Sequence, residues 1–379
     1  MKIFIYILYA IAMVTTIYYN GMNDPIAKTI AKVAFGVLFV VALYQRSRSS
    51  IRPKIFFGWL MWFVLACLVN CLLAIDKMSV EQLFNMEIAM PLIVAFSSFY
   101  LLDIKREKLF VYMLPLCLFA AYCSISSVLS GLGGFQIAEN EDEIVAKNQI
   151  GAAFASFAII CAVFALENKR FLLKMSYVVL SVVCIYPALF FACRTALLSY
   201  MIVVVFLVFR AYRWKGLVVM PIIIVVISYL GGDDLRDLLY NSIVGNKDAT
   251  DLDSLSSGRL TSAALSYDYF LRHPFFGFFG SGDGFDEMPP NAHIYLLYRL
   301  TKWGTIGAIP FIALYWSIFK TFISSVRGKE LLLAGLLLLA FVESFSEYSP
   351  PFGPGSCFIV TYVLLGYYLR NLYYNSIEP

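Results

Sequence analysis

Apolar runs long enough to cross a lipid bilayer recur from one end of this chain to the other, and they constrain its fold more than any other feature. A helix needs about 20 mostly apolar residues to span the hydrocarbon core. Twelve stretches are candidates, the eighth and ninth of them short: 3–19, 27–44, 55–75, 83–101, 109–130, 149–167, 171–191, 195–209, 215–230, 303–324, 330–347 and 355–374. Lipid cannot satisfy backbone amides, so such runs must be helices, and they are too long for the strands of a membrane barrel. Composition agrees, with 61% apolar and only 14% charged residues. A soluble domain of this size could not hide that surplus. The expected fold is all-α and polytopic, one membrane domain over 1–379 with about 12 transmembrane helices. A cytosolic enzyme, a disulfide-stapled secreted module and a nucleic-acid reader are excluded.

Lys and Arg orient the map. With a cytoplasmic N-terminus, 18 of the 29 basic residues fall on the inner side, in short loops such as Arg46, Arg48, Arg52 and Lys54, or Arg210, Arg213 and Lys215. That obeys the positive-inside rule, and an even number of spans returns the C-terminus to the cytoplasm. The net charge of +4 is therefore mostly topology. A cleaved signal peptide is the alternative for 1–19, and it would leave the other spans standing. The eight cysteines, from Cys67 to Cys357, lie in or beside apolar runs. They form no C-x-x-C pair and have no histidine companion, so they read as packing residues rather than a zinc site or disulfide framework.

On the outer side two segments are long. The first, 131–148, holds Glu139, Glu141, Asp142 and Glu143. The second, 231–290, lies between the ninth and tenth spans, as one large periplasmic loop with short helices in it. Loops of that length in a compact protein are usually functional. Within it, 256–272 reads as an amphipathic helix capped by Ser256 or Ser257, with Leu260, Ala264, Tyr267 and Leu271 on one face.

Chemistry-bearing side chains gather there. The chain has two histidines, His273 and His293. Histidine is the side chain best suited to proton transfer near neutral pH. His293 follows Pro289, Pro290 and Asn291 and opens a helix that carries Tyr295 and Arg299, whereas His273 precedes Pro274 and reads as a turn element. Arg194 sits between the seventh and eighth spans with almost no loop. It reads either as a snorkelling arginine or as a guanidinium fork for phosphate. Arg259, in the first turn of the loop helix, opposes the helix dipole unless an anion is present. Asn291, Tyr295, Arg272 and Arg299 are candidate supporting residues. Asp248, Asp251 and Asp253 read as a solvated acidic loop, and 280–284 as a flexible turn, since no strand precedes its glycines.

Taken together these residues resemble a known family. Phe191-Ala192-Cys193-Arg194-Thr195-Ala196-Leu197-Leu198 is similar to a segment of the O-antigen ligase and O-antigen polymerase superfamily. Ser257-Gly258-Arg259 with His273-Pro274-Phe275-Phe276-Gly277 resembles that family's loop entry. Asn291-Ala292-His293-Ile294-Tyr295-Leu296 with Gly304-Thr305-Ile306-Gly307 resembles its histidine helix. The match covers roughly 190–310. It departs from the family at Cys193, where serine is usual, and at Lys302, near a position that is often acidic.

The resemblance implies a C-type membrane glycosyltransferase in a bacterial inner membrane, with both termini cytoplasmic and its site on the periplasmic face. It implies undecaprenyl-diphosphate-linked oligosaccharides as donor and acceptor, and no metal or cofactor. A flippase and a chain-length regulator are candidate partners. Arg194 and Arg259 would bind the diphosphate and His293 would activate the acceptor hydroxyl. The chemistry is consistent: two arginines stabilise a diphosphate leaving group, and a general base is worth about 10²–10⁴-fold. In-line attack would invert the anomeric centre. An O-antigen polymerase is the first expectation, a ligase acting on lipid A-core the second, and an oligosaccharyltransferase acting on protein the third. A glycolipid flippase or transporter is the reading from a different class. It is disfavoured because Glu87, Lys174 and Glu343 lie towards span ends and no internal repeat is visible.

Overall fold

Each apolar run that can be followed in space is a helix, as the backbone's need for internal hydrogen bonds demands. The computed structural model describes residues 2–22, 24–77, 86–129, 141–216, 240, 253, 256, 258–347 and 358–375. Its helices are α1 (Lys2–Met22), α2 (Pro25–Arg48), α3 (Lys54–Ala74), α4 (Met86–Leu101), α5 (Arg106–Leu129), α6 (Glu141–Glu167), α7 (Phe171–Phe190) and α8 (Arg194–Tyr212). There follow α9 (Arg259–Arg272), α10 (Gly277–Ser281), α11 (Tyr295–Gly307), α12 (Ile309–Arg327), α13 (Leu331–Glu343) and α14 (Ile359–Asn375). No strand occurs among the described residues. Among the described residues eight helices, α1–α3, α5–α8 and α12, are long and apolar enough to cross a membrane, and α4 and α13 are shorter apolar helices. Residues 217–230 of the ninth run, Glu139, Asp248, Asp251 and Ser257 lie outside the described residues.

The helix α6 is the centre of the bundle, packed on α5, α7, α8 and α13. Its run of small residues, including Ala152, Ala153, Ala155, Ser156 and Ala158, is buried and lets neighbouring backbones approach. Close approach also joins α14 to α4, where a side chain on Gly366 would overlap the Ala95 carbonyl. The first helix belongs to the bundle: Ile5, Tyr9, Met13 and Ile17 are buried, and the Tyr9 and Ser98 hydroxyls are 3.2 Å apart.

Two ends of the bundle can be told apart. At one end, short basic connections meet carboxylates. Arg106 pairs with Glu330 at 2.8 Å and Glu167 at 3.3 Å, and Asp103 pairs with Lys2 at 3.1 Å and Arg370 at 3.2 Å. At the other end lie α9, α10 and α11. The helix α12 runs away from that end to Arg327, the turn Gly328-Lys329-Glu330 reverses the chain, and α13 returns to it. The start of α12 and the end of α13 are thus neighbours, and the Tyr315 and Ser344 hydroxyls meet at 3.0 Å.

Two expectations need revision. The tenth run, 303–324, is not one helix: Gly304 has φ 67° and ψ −175°, so the chain kinks and the long helix begins at Ile309. The loop helix begins at Arg259 rather than 256, after Gly258 in the left-handed region at φ 77°. Its first turn is held by Asp253, whose Oδ1 accepts the Thr261 N–H at 3.0 Å and whose Oδ2 accepts the Thr261 hydroxyl at 2.7 Å. Ser256 adds only a 3.4 Å contact from the Leu260 N–H. The face of Leu260, Ala264, Tyr267 and Leu271 points outward, and the helix docks instead through Ser266 and Tyr269.

Candidate functional site

The turn from α7 to α8 takes only Phe191, Ala192 and Cys193. It is closed by Phe191 N–H to Pro187 O at 2.9 Å and Cys193 N–H to Ala188 O at 2.8 Å, with Ala192 at a positive φ of 49°. Cys193 is buried against α6, where a side chain on Gly151 would come within 2.8 Å of the Cys193 Cβ. The departure from serine at this position therefore falls in packing. The same turn presents Arg194 as the first residue of α8 and Thr195 as the second.

Thr195 is where the long loop returns. The Arg259 guanidinium donates from Nη1 to the Thr195 hydroxyl at 2.9 Å and to the Ser346 carbonyl at 2.6 Å. From Nη2 it donates to Glu347 Oε1 at 2.8 Å. The other carboxylate oxygen, Oε2, lies 3.7 Å from Nδ1 of His293. Residues distant in sequence thus share one corner: the start of α8, the start of α9, the approach to α11 and the segment after α13. Glu347 is only 13% exposed. A carboxylate held that far from water couples strongly to the arginine beside it.

The histidine is positioned by its neighbours. Ala292 and Tyr295 are buried on either side, and the Tyr295 N–H donates to the Ser344 carbonyl at 2.9 Å. The preceding strap is tied to α9 by the Ser266 hydroxyl, which donates to Pro290 O at 2.7 Å. The Thr301 hydroxyl of α11 donates to Ser266 O at 3.1 Å. With Nδ1 turned to Glu347, the opposite ring edge carries Nε2.

Further on, two glycines lock the loop to α11. Thr305 N–H donates to Pro274 O at 2.8 Å and Ile306 N–H to Phe275 O at 3.1 Å. Gly277, at φ 61°, and Gly304 bring the two backbones so close that a Cβ on either would overlap the other strand of the lock. Beyond it, His273 pairs with Asp283 at 3.4 Å and stacks on Tyr269 at 4.7 Å. The Tyr269 hydroxyl donates to Asp283 Oδ2 at 2.5 Å, which holds that carboxylate below the usual range, while burial and the same bond push Tyr269 up to about 12. His273 is thus the turn element that its place before Pro274 indicates.

The supporting candidates separate. Asn291 is exposed two residues from His293. Tyr295 is core, stacked on Tyr315 at 5.7 Å. Arg299 is 1% exposed, with its guanidinium within 5.2 Å of the Tyr295, Tyr298, Trp303 and Phe311 rings, so it braces α11. Arg272 lies over the Tyr269 ring at the far end of α9, about 20 Å along the helix from Arg259. Asp253 is a helix-capping residue, and among the described residues no cluster of His, Cys, Asp and Glu could hold a metal ion. Glu347 was not among the candidates read from the sequence. Its signal is there in retrospect: a carboxylate at the outer end of an apolar run in a chain poor in charge.

Neither a family model nor a curated protein matches the chain.

Proposed function

We propose that this protein is a membrane glycosyltransferase that polymerises surface-polysaccharide repeat units carried on undecaprenyl diphosphate. The full topology in this reading has twelve spans, cytoplasmic termini and the α9–α11 end facing the periplasm of a bacterial inner membrane. The observation that carries it is the convergence of Arg259, Thr195 beside Arg194, Glu347 and His293 at one bundle end.

In this reading Arg259, with Arg194 at the start of α8 beside Thr195, supplies the positive charge that suits a diphosphate. Three hydrogen bonds engage the Nη atoms of Arg259, and the guanidinium retains further N–H donors for phosphate oxygens. As the bond from the sugar's anomeric carbon to the diphosphate breaks, its electron pair leaves with the diphosphate and the arginines stabilise that charge. His293 takes the acceptor hydroxyl's proton on Nε2, and the freed oxygen forms the new glycosidic bond. Glu347, facing Nδ1, orients the ring. The 3.7 Å separation is longer than a hydrogen bond, and the proposed step requires it to shorten when substrate binds.

The test is the glycolipid phenotype of a deletion strain. Lipid A-core bearing a single repeat supports the polymerase, and polymer accumulating on undecaprenyl diphosphate would make the protein a ligase. Complementation with Arg194→Ala, Arg259→Ala or His293→Ala should give inserted protein and no polysaccharide ladder. A normal ladder from all three variants would sink the assignment. The product's anomeric configuration, read by NMR, checks inversion.

A further inference from the structure

The helix α9 presents its surroundings with three different sides. One, with Ser266 and Tyr269, is buried against the strap before His293 and α11. A second is exposed and mixed: Thr261, Asp268 and Arg272 are polar, and Leu265, 52% exposed, lies among them. The third is apolar and also exposed: Leu260, Ala264, Tyr267 and Leu271 recur every three or four residues, and so form one stripe along the helix. Tyr267 and Leu271 are 51% and 56% exposed. A helix lying in water would not leave its apolar side uncovered while burying Ser266.

Its placement says what covers the stripe. At its start Arg259 is bonded to Ser346 and Glu347, just past the end of α13. After its end Pro274 and Phe275 are bonded to Thr305 and Ile306, just before α12. The Lys77 ammonium, just past the end of α3, donates to Phe278 O at 2.9 Å. Both ends of α9 therefore sit at the level where membrane-crossing helices terminate, so the helix lies across the bundle end and not along it. Exposed apolar side chains also follow the stripe: Phe275, 63% exposed, has its carbonyl bonded to the Ile306 N–H, and Ile309, Ile312 and Trp316 are exposed along one flank of α12. That flank belongs to a helix apolar enough to span a bilayer.

We infer that α9 is an interfacial helix whose stripe of Leu260, Ala264, Tyr267 and Leu271, with Phe275, rests in the lipid of the leaflet at this end, while Asp268 and Arg272 face water. An amphipathic helix in this pose buries its apolar side at the boundary of headgroups and acyl chains, and Tyr267 supplies a ring suited to that depth. The consequence is positional. Lipid contact along α9 fixes the height of Arg259 at the membrane surface, level with the headgroup of any lipid-linked anion. The inference does not depend on which reaction the site performs.

A photoreactive side chain tests it directly. The full chain, with p-benzoylphenylalanine in place of Tyr267, Leu271 or Asp268, is reconstituted in a bilayer of phosphatidylethanolamine and phosphatidylglycerol, illuminated and read by mass spectrometry. All three positions are exposed, so the substitutions do not disturb packing. Phospholipid adducts at 267 and 271, several-fold above those at 268, are expected. Equal adducts at all three positions, no lipid adduct at 267 and 271, or predominant cross-links there to a second copy or to the chain itself would each overturn the inference.

Discussion

Glu347 holds two partners at once, and that makes it the most informative residue to change. Its Oε1 accepts from Arg259 at 2.8 Å while Oε2 faces His293 Nδ1 at 3.7 Å. Glu347→Gln keeps the shape and removes the charge. Polymer formation in membranes should fall on the order of 10²-fold, the low end for a disabled general base. The loss should appear in kcat with KM little changed, because the residue does not touch substrate; a loss confined to KM would assign Glu347 to binding. Lys302 offers a separate test. It is buried with its ammonium 3.4 Å from Pro289 O and 5.2 Å from the centre of the Phe278 ring, and burial pulls its pKa down from 10.5 to about 8. Carrying that charge in the folded state costs about 3 kcal/mol by linkage. Between pH 8 and 10.5 the unfolded chain holds the proton that the folded one has lost, so stability should rise with pH across that window. Lys302→Met should raise Tm at neutral pH by a few degrees, with the advantage fading above pH 8 in thermal scans.

At the scale of the element, the lock between the loop and α11 explains why two separated glycine segments occur together. Gly304 lies at φ 67° and ψ −175°, a region essentially closed to other residues, and the Phe275 carbonyl fills the space a Cβ would take. Gly304→Ala should destabilise the protein by roughly 3 kcal/mol or more, seen as lost yield in fluorescence-detected gel filtration. Asp253→Ala should loosen the first turn of α9, lowering Tm slightly in thermal scans, and leave the lock intact. The loop helix was readable from the spacing of its apolar residues, but which of its sides is buried was not. Periodicity shows that residues share a face. It does not tell whether protein or lipid covers that face, because both are apolar.

For the molecule as a whole, the paired carboxylates at one end and the α9–α11 corner at the other give the bundle a polarity. Asn291 and Lys329 are exposed at opposite ends, so each can report sidedness. Asn291→Cys should react with an impermeant maleimide in spheroplasts, and Lys329→Cys only in inverted vesicles, each measured against the parent chain, whose Cys71 is exposed. Labelling of Lys329→Cys from outside would reverse the orientation drawn from the basic loops. Exposed ion pairs such as Lys2 with Asp103 are worth little energy, about 0–1 kcal/mol, so their role is in topology more than in stability.

Hydropathy alone required a helical membrane protein, because length and apolarity answer to the bilayer and not to neighbouring residues. Basic loops and rare polar residues likewise singled out Arg194, Arg259 and His293 as the candidates on which the proposal rests. Tertiary structure added what one-dimensional spacing cannot hold. It joined Arg259 and His293 through Glu347, withdrew Tyr295 and Arg299 into the core, and set Arg272 at the far end of α9. Each of those outcomes depends on which helix ends meet, and that is decided by close packing among small residues across the bundle.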